Sequence, residues 1–255
     1  MKLIILAGGY GTRLSEETTV KPKPMAEIGN KPILWHIMKY YSHFGISDFI
    51  ILTGYKGEVI NHYFYKMLNI DGDIEFDFNA KSTNRLTNNQ SEWKVTCINT
   101  GIDTMTGGRI KRIQDFFEDE TFCMTYGDGL SNVNIDKLIT FHNSMNKVAT
   151  VTAVRPTPRF GSLNLNNDIV ESFAEKIQDE RYINGGFFVL NRKIFDYIQD
   201  DETIFERSSL EQLAQEGNLV AFKHEGFWKP MDTLNDKNYL NELWSKDEAP
   251  WKIWE

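Results

Sequence analysis

Short and nearly uninterrupted apolar runs recur along the first 155 residues, and segments of helical periodicity separate them. Residues 2–7, 48–55 and 148–154 are three such runs. A strand that is buried on both faces reads as a continuous apolar run, whereas a half-exposed strand alternates. This succession therefore predicts an α/β fold, in which helices flank both faces of a Rossmann-like, mixed but mostly parallel sheet.

The helical segments carry start and stop signals as well as periodicity. In residues 31–45, Pro32 suits a first turn, Ile33 and Ile37 fall on one face, and Gly45 can end the helix. Ligands of parallel sheets bind beyond the carboxyl ends of the strands. We therefore expect the loops after the first, second and fourth predicted strands to meet at one site.

The second half of the chain is less regular. We expect one domain over residues 1–255, in which the irregular part 156–255 covers the ligand edge of the sheet built by 1–155. The polar stretch 79–92 reads as a surface excursion. Trp251 and Trp254 give the tail more aromatic surface than water favours, so we expect it to pack on the domain or on another subunit.

Charge and composition exclude several classes of partner. The formal net charge is −8, which disfavours a diffuse electrostatic grip on nucleic acid or on an anionic membrane. No apolar run approaches the ~20 residues that span a bilayer, and the first strand begins too early to leave room for a signal peptide. Cys97 and Cys123 fit no redox or zinc spacing, so we interpret them as buried free thiols of a cytoplasmic protein.

A glycine-rich loop with cations follows the first strand directly. Gly8, Gly9 and Gly11 allow backbone N–H groups to approach an anion, and Arg13 and Lys23 can place charge on phosphate oxygens. The Walker pattern and the dinucleotide GxGxxG pattern are both absent. On the glycines alone, an ordinary strand-to-helix turn with solvated lysines is an equal alternative.

The spacing of GGYGTRL at 8–14 to KPKP at 21–24 resembles the opening of the sugar-phosphate nucleotidyltransferases. Later stretches, including TYGDG at 125–129, INGGFFVL at 183–190 and GFWKPMDTL at 226–234, are similar in order to the glucose-1-phosphate cytidylyltransferases within that family. The resemblance spans nearly the whole chain. It implies the glycosyltransferase-A-like form of the fold, with 1–155 binding the nucleotide and 156–255 binding the sugar and contributing to a homo-oligomer.

The resemblance implies that CTP and glucose 1-phosphate react to give CDP-glucose and pyrophosphate, for dideoxysugars of surface polysaccharides such as O-antigen. It assigns catalysis to Arg13, Lys23 and Asp128, with Lys21 as an accessory or solvated cation. It also implies a Mg²⁺ ion held by Asp128 and Asp232. Taken singly, an Asp beside a Gly is usually a turn former.

The resemblance also assigns binding residues to each substrate. The nucleotide set comprises Leu6, Ala7, Gly8, Gly9, Gly11, Thr12, Arg13, Lys23, Thr104, Arg109 and Asp128. The sugar-phosphate set comprises Tyr126, Glu175, Lys176, Asn184, Gly185 and Trp228. For Glu175 and Lys176 the alternative is an exposed ion pair, and for the two aromatic residues it is a place in the core.

Two positions depart from the subfamily pattern. Ile177 stands where proline usually follows the Glu-Lys pair, and Lys229 adds a positive charge near the expected metal aspartate. Two alternatives stay open: transfer from another nucleoside triphosphate or to another hexose 1-phosphate, and a nucleotide-sensing subunit without catalysis. The catalytic cations and carboxylates, all present in the sequence, favour the enzyme.

Overall fold

The structure is a computed structural model that describes residues 1–69, 72–86, 92–117, 121–156, 162–174 and 181–254. Over these residues the centre of the molecule is a seven-stranded sheet in the order β7-β5-β6-β4-β1-β2-β3. Six strands run in one direction and β6 runs against them. The expected mixed, mostly parallel sheet is therefore confirmed. Its strands are β1 (Lys2–Ala7), β2 (Asp48–Thr53), β3 (Lys94–Asn99), β4 (Thr121–Tyr126), β5 (Ala149–Val154), β6 (Ile183–Asn191) and β7 (Leu219–His224).

Helices connect these strands and cover the sheet. The first long helix ends as predicted just before Gly45, which takes a φ of +76°. Ser47 follows in the link to the next strand. A second helix begins at Asn134, whose side chain accepts a hydrogen bond from the Lys137 amide. The helices are α1 (Ser15–Thr18), α2 (Ile33–His43), α3 (Gly57–Asn69), α4 (Thr106–Lys111), α5 (Ile135–Met145), α6 (Leu210–Gln215) and α7 (Leu234–Ser245).

The two faces of the sheet carry separate hydrophobic cores. Along β1, Leu3 and Ile5 enter one core, and Ile4 and Leu6 enter the other. The first core is covered by α2, α3, α5 and α7, and the second by α4 and α6. Because successive strand residues point to opposite faces, burial of both faces requires the continuous apolar runs seen in the sequence.

Short strand pairs lie outside the central sheet. Ile74–Asp77 pairs with Ser82–Arg85, and Ser162–Asn166 pairs with Ile169–Ala174. The excursion expected at 79–92 thus includes one strand of an exposed hairpin, which its polar composition did not indicate, and 87–91 lie outside the described residues. Gly129–Ser131 pairs with Trp228–Pro230 and brings two distant segments of the expected site together.

The aromatic tail packs on its own chain. Trp251 is fully buried, with its ring stacked 5.6 Å from Phe227 and 6.4 Å from Trp244. The Trp254 ring lies 5.8 Å from that of Trp35 on α2. Of the two alternatives for the tail, the structure supports packing on the domain.

Both cysteines are free thiols, as expected, and Cys123 is buried whereas Cys97 is only partly buried. Burial raises the pKa of Cys97 to about 11 and that of Cys123 to about 12, so both are neutral at pH 7. Across the described ranges, no helix combines the length and apolar character needed to cross a membrane.

Candidate active site

The loops at the carboxyl ends of the central strands meet at one edge of the sheet. The Gly127 amide, just after β4, donates to the Leu6 carbonyl at 3.0 Å, and the Tyr55 amide, just after β2, donates to the Gly8 carbonyl at 3.1 Å. These bonds confirm that the fold brings the three loops together. They border a cleft of about 770 Å³, a size ordinary for small-molecule sites.

Most of the residues expected at the site lie around this cleft, and Lys21 does not. The Lys21 ammonium pairs instead with Glu27 at 3.2 Å and Glu17 at 3.5 Å. Gly185 lines a small pocket that adjoins the cleft. The expected residues that line the cleft are Leu6, Ala7, Gly8, Gly9, Gly11, Thr12, Arg13, Lys23, Thr104, Arg109, Tyr126, Asp128, Asn184, Trp228 and Asp232.

The glycine loop takes its shape from backbone freedom at Gly11. This residue has a φ of +65°, which L-amino acids with a side chain rarely adopt. A Cβ atom there would lie 2.8 Å from Cγ2 of Thr18 and 3.0 Å from Cβ of Lys23. Gly11 therefore lets the loop turn tightly beside the stem of Lys23, which places that lysine in the cleft.

Arg109 ties the loops of the cleft to one another. Nη1 donates to the Thr53 carbonyl, the Thr100 hydroxyl and the Gly101 carbonyl at 2.6–3.2 Å. Nη2 donates to the Gly8 and Ile102 carbonyls at 3.1 and 3.2 Å. Burial lowers the pKa of Arg109, helped by the nearby Arg112 charge, but an arginine stays protonated. Its guanidinium therefore cross-links the glycine loop to the loops after β2 and β3.

Gly8 permits this close approach. A Cβ atom at Gly8 would lie only 2.8 Å from Nε of Arg109 and still closer to its Nη1 and Cζ. Thr104 also serves the loop, because its hydroxyl donates to the Thr100 carbonyl at 2.6 Å. Thr104 and Arg109, whose side chains are expected to contact the nucleotide, thus line the cleft and also hold its wall together.

A cluster of opposite charges occupies one end of the cleft. Nζ of Lys23 lies 2.6 Å from a carboxylate oxygen of Asp128 and 2.6 Å from one of Asp232. The two oxygens are therefore no farther apart than twice that distance, although their residues are 104 positions apart in the sequence. Arg13 pairs with the other Asp232 oxygen at 2.6 Å. The Lys23 side chain is 8% exposed and that of Arg13 is 70% exposed, so Lys23 is the inner cation.

The carboxylates of Asp128 and Asp232 fit a magnesium ion. Mg²⁺ prefers one or two protein carboxylates and takes its remaining ligands from phosphates and water. Within the described ranges, no cluster of three or more histidine, cysteine or acidic side chains offers an all-protein metal cage. This donor set therefore fits a metal that arrives with an anionic ligand.

Lys229 does not pair with the expected metal aspartate. Its ammonium lies 2.5 Å from Asp236, which also accepts hydrogen bonds from the amides of Asp232 and Thr233 at 3.2 and 2.9 Å. Burial raises the pKa of Asp236, but hydrogen bonds from Lys229 and Thr233 outweigh it, and the pKa is lowered. The additional positive charge of Lys229 thus neutralises Asp236 and leaves Asp232 to Lys23 and Arg13.

The other end of the cleft carries hydroxyl, amide and indole groups. The Asn184 amide nitrogen lies 3.2 Å from the Tyr126 hydroxyl, and the Trp228 indole donates to the Gly185 carbonyl at 2.7 Å. Burial raises the pKa of Tyr126, and the nearby Glu206 carboxylate raises it further, so its hydroxyl remains a donor. These uncharged groups suit a ligand with hydroxyls. Glu175, Lys176 and Ile177 lie outside the described residues.

Sequence reasoning missed part of the lining. Glu206 and Thr106 face the cleft and hydrogen-bond to each other at 2.6 Å. Thr106 lies between the expected residues Thr104 and Arg109, so its position gave some signal. Glu206 lies in an acidic segment that reads as a surface helix, and no local pattern distinguishes it. Further lining residues that were not expected are Tyr10, Pro24, Ile102, Asp103, Met105 and Pro230.

Comparisons with known proteins agree with this geometry. The chain is 53% identical over 258 residues to a glucose-1-phosphate cytidylyltransferase from Salmonella typhimurium, with 100% of both proteins covered. It is 44% identical over 255 residues to a probable glucose-1-phosphate cytidylyltransferase from Bacillus subtilis, again with 100% of both covered. The crystal structure of HddC from Yersinia pseudotuberculosis superposes with a TM-score of 0.71 at 27% identity, covering 95% of this chain and 99% of that one.

The family pattern described as "Nucleotidyl transferase" matches residues 2–242, which is almost the entire chain. The glycine loop, the inner lysine and the paired aspartates of the cleft all lie within this match. The chain therefore belongs to the nucleotidyl transferase family.

Proposed function

We propose that this nucleotidyltransferase moves CMP from CTP to α-D-glucose 1-phosphate and produces CDP-glucose and pyrophosphate. The observation that carries the proposal is the meeting of Lys23, Asp128 and Asp232 at 2.6 Å contacts in a cleft between the glycine loop and the Tyr126–Asn184 pair. One end of the cleft suits phosphates and the other suits hydroxyls. The full-length relatives from Salmonella and Bacillus support the choice of substrates.

The reaction requires two anions to approach each other. A phosphate oxygen of glucose 1-phosphate forms a bond to the α-phosphorus of CTP, and the bond from that phosphorus to the β-phosphate oxygen breaks. No protein nucleophile is needed, so catalysis consists of positioning and charge neutralisation. Lys23 is buried and central, which suits a cation between both reactants. Arg13 is at the exposed rim, which suits a cation on the departing pyrophosphate.

We assign the magnesium site to Asp128 and Asp232. When bound there, a divalent ion would neutralise the charge that develops on the transferring and departing phosphates. Both carboxylates now share Lys23, so their orientation is already set toward one point in the cleft.

The backbone of Leu6–Gly9, with Thr104 and Arg109, is the proposed reader of the base. The Gly8 carbonyl already accepts from the Tyr55 amide and from Arg109, which occupies its two lone pairs. The amino group of cytosine must then be read by another acceptor of this wall. An acceptor suits cytosine and disfavours uracil and thymine, which present an oxygen at that position.

The sugar end is assigned to Tyr126, Asn184, Gly185 and Trp228, with Glu175 and Lys176 as the proposed partners of the hydroxyls and phosphate. We propose that the chain forms a single domain, in which residues 1–155 bind the nucleotide and residues 156–255 bind the sugar phosphate. The central sheet draws β6 and β7 from the second part, which supports treating both as one unit.

Pyrophosphate release from the purified protein tests the substrate assignment. CTP, UTP, dTTP and GTP are each supplied with glucose 1-phosphate and Mg²⁺, and then CTP is supplied with glucose, galactose or mannose 1-phosphate. We expect kcat/KM for CTP to exceed that for the other nucleotides by at least about 100-fold, because a mismatched buried polar edge is strongly rejected. Equal rates with UTP or dTTP would contradict the cytosine assignment, and equal rates with galactose 1-phosphate would contradict the glucose assignment.

The remaining assignments concern assembly and setting. We propose a cytoplasmic homo-oligomer that supplies CDP-glucose to dideoxysugar synthesis for surface polysaccharides. Phe76 and Phe78 on the outer hairpin are 61% and 88% exposed, which supports a subunit contact there now that the tail is packed internally. Size-exclusion chromatography with light scattering tests this, and a mass of one chain at working concentration would refute it.

A further inference from the structure

Glu206 occupies an unusual position in the wall of the cleft. It lies in a π-helical turn, Phe205–Ser209, that leads into α6, and its partly buried side chain lines the cleft. Such turns are rare and are frequently found at functional sites. Neither its local sequence nor the charge cluster at the phosphate end accounts for an acidic group here.

Both oxygens of this carboxylate are held firmly. Oε1 accepts from the Tyr126 hydroxyl at 2.6 Å, and Oε2 accepts from the Thr106 hydroxyl at 2.6 Å. Thr106 in turn accepts from the Phe205 amide at 2.9 Å, so the turn and the first residue of α4 are bound reciprocally. Glu206 is thus oriented by two neutral donors, and among the described residues no ion pair neutralises it.

The network fixes which groups of the cleft can donate. The Tyr126 hydroxyl has one proton, and it is committed to Glu206. That hydroxyl can then accept from Asn184, whose amide nitrogen lies 3.2 Å away, while the Asn184 oxygen accepts from the Gly186 amide at 2.8 Å. Glu206 therefore sets the hydrogen-bond direction of the whole Glu206–Tyr126–Asn184 chain.

A carboxylate in this place selects among ligand groups. The carboxylate repels phosphate. It can accept hydrogen bonds but cannot donate them, and the donors on these substrates are sugar hydroxyls and amino groups. Each of its oxygens uses one lone pair on Tyr126 or Thr106, which leaves acceptor capacity toward the cleft. Glu206 lies between the predicted nucleotide segment 104–109 and the predicted sugar residue Asn184. A hydroxyl of the ribose or of the hexose is therefore a candidate donor to its carboxylate.

We infer that Glu206 is a specificity-determining residue, which accepts a hydrogen bond from a sugar hydroxyl of a substrate and holds Tyr126 and Asn184 in register for that sugar. This inference rests on the proposed function for the identity of the substrates. It assigns to the reaction a residue 78 positions away from Asp128, the nearest of the predicted catalytic residues.

Glu206→Gln tests the inference because it keeps the shape and removes the charge. Steady-state kinetics are measured for the variant and wild type with CTP and glucose 1-phosphate. We expect KM for one substrate to rise about 10- to 100-fold, the worth of a hydrogen bond to a charged group, with a smaller fall in kcat. A purely structural role would lower the active fraction, which changes kcat and leaves KM unaltered.

Deoxy analogues identify the hydroxyl. If the ribose supplies it, wild type discriminates against 2′-deoxy-CTP or 3′-deoxy-CTP, and Glu206→Gln no longer does. If the hexose supplies it, the same loss of discrimination appears with the 2-, 3-, 4- or 6-deoxy analogues of glucose 1-phosphate. Unchanged discrimination of the variant against every one of these analogues would overturn the inference.

Two further variants complete the experiment. Glu202→Gln changes an exposed acid of the same segment and should match wild type in both KM values. Tyr126→Phe removes the donor to Glu206, so the double variant should lose less than the sum of the two single losses. If the losses of the two single variants simply add in the double variant, Glu206 and Tyr126 act independently, which would contradict the proposed hydrogen-bond chain. If Glu206→Gln fails to fold, the analogue series on Glu206→Asp, which keeps the charge but draws the carboxylate back, decides by the same criterion.

The controls separate this inference from the proposed function. All comparisons use the substrate pair that wild type turns over. Wild type that prefers another nucleotide or sugar contradicts the proposed function alone, and unaltered selectivity in Glu206→Gln contradicts the inference alone.

Discussion

Arg109 and Lys23 are both buried cations, but their surroundings differ. Arg109 donates to neutral carbonyl and hydroxyl oxygens of three loops, whereas Lys23 contacts two carboxylates at 2.6 Å. A guanidinium offers several donors in a rigid plane and suits cross-linking, and an ammonium is a compact point charge. The first residue therefore holds the wall of the cleft, and the second balances its charges.

Asp128→Asn should remove Mg²⁺-dependent turnover almost completely. The substitution deletes one of two proposed metal ligands and the charge that pairs with Lys23, so we expect kcat to fall by at least about 100-fold. Pyrophosphate release measured across a Mg²⁺ titration checks this. Asp196→Asn, on an exposed turn, is the control and should behave as wild type. Near-normal activity of Asp128→Asn would remove Asp128 from the metal site.

Arg109→Lys should destabilise the protein despite conserving charge. A lysine cannot reach the five acceptors of Arg109, and loss of the hydrogen bonds to the Thr100 hydroxyl and to the Gly101 and Ile102 carbonyls should lower the free energy of unfolding by about 3 kcal/mol. Urea unfolding measures the loss. Arg112→Lys is the matched control, because the ion pair of Arg112 with Asp201 is exposed and should change stability by less than about 1 kcal/mol. Equal losses would show that the cross-link adds nothing.

At the scale of elements, the start of α7 supports the end of the cleft that carries Lys23, Asp128 and Asp232. Thr233 caps this helix: its hydroxyl accepts from the Asp236 amide at 3.2 Å, and Asp236 accepts from the Thr233 amide in return. Asp236 also accepts from the Asp232 amide and pairs with Lys229. The capping box thus fixes the backbone that carries Asp232.

Thr233→Ala should affect stability and metal use together. Loss of the cap should lower the free energy of unfolding by about 1 kcal/mol. Looser placement of Asp232 should raise the Mg²⁺ concentration for half-maximal rate severalfold, with a smaller change in KM for glucose 1-phosphate. Urea unfolding and a Mg²⁺ titration of pyrophosphate release are the measurements. Thr233→Ser keeps the capping oxygen and should restore both values; an unaltered Mg²⁺ requirement in Thr233→Ala would argue against the supporting role.

At the scale of the whole molecule, the core beneath the aromatic tail has its own sensitivity to pH. His36 lies on α2 and is fully buried against the aromatic tail, with one ring nitrogen 2.9 Å from the Ile28 carbonyl and the other 3.4 Å from the Trp251 indole nitrogen. The neutral ring donates to Ile28 and accepts from Trp251. A second ring proton would face the indole N–H, and burial lowers the pKa of His36 to about 4.

Stability should therefore fall in mild acid. The unfolded chain takes up a proton on this histidine near its ordinary pKa of about 6.5, while the folded protein resists until about pH 4. The contribution of neutral His36 is fully present above that range and is lost as pH falls through it, by about 2 kcal/mol at pH 5. Urea unfolding at pH 7.5 and pH 5 measures it.

His36→Gln isolates this effect from the other histidines. Burial also lowers the pKa of His142 and His224, so wild type loses stability in acid at several sites. The variant should be less stable at pH 7.5 but should lose less between pH 7.5 and pH 5 than wild type does. His62→Gln, on an exposed face of α3, should keep the slope of wild type. The same slope in His36→Gln would assign the acid sensitivity elsewhere.

Local chemistry in the sequence was enough to predict the sheet and its principal helices. Apolar runs such as residues 2–7 require burial on both faces, and this signal lies within a few consecutive residues. The assignment of Gly11, Arg13 and Lys23 to phosphate binding needed the family resemblance as well, because the glycines alone are equally typical of an ordinary turn. Asp128 and Asp232 needed the family resemblance, since nothing in the spacing of two distant aspartates fixes their distance.

Tertiary structure alone decided which distant groups share a proton or a charge. It placed Glu206 against Tyr126 and Thr106, paired Lys229 with Asp236, and buried the tryptophan tail on its own chain. Such contacts join segments that are far apart in sequence, and hydrogen bonds act only over about 3 Å. Patterns of neighbouring residues carry no information at that range, so the chain must fold before these partners exist.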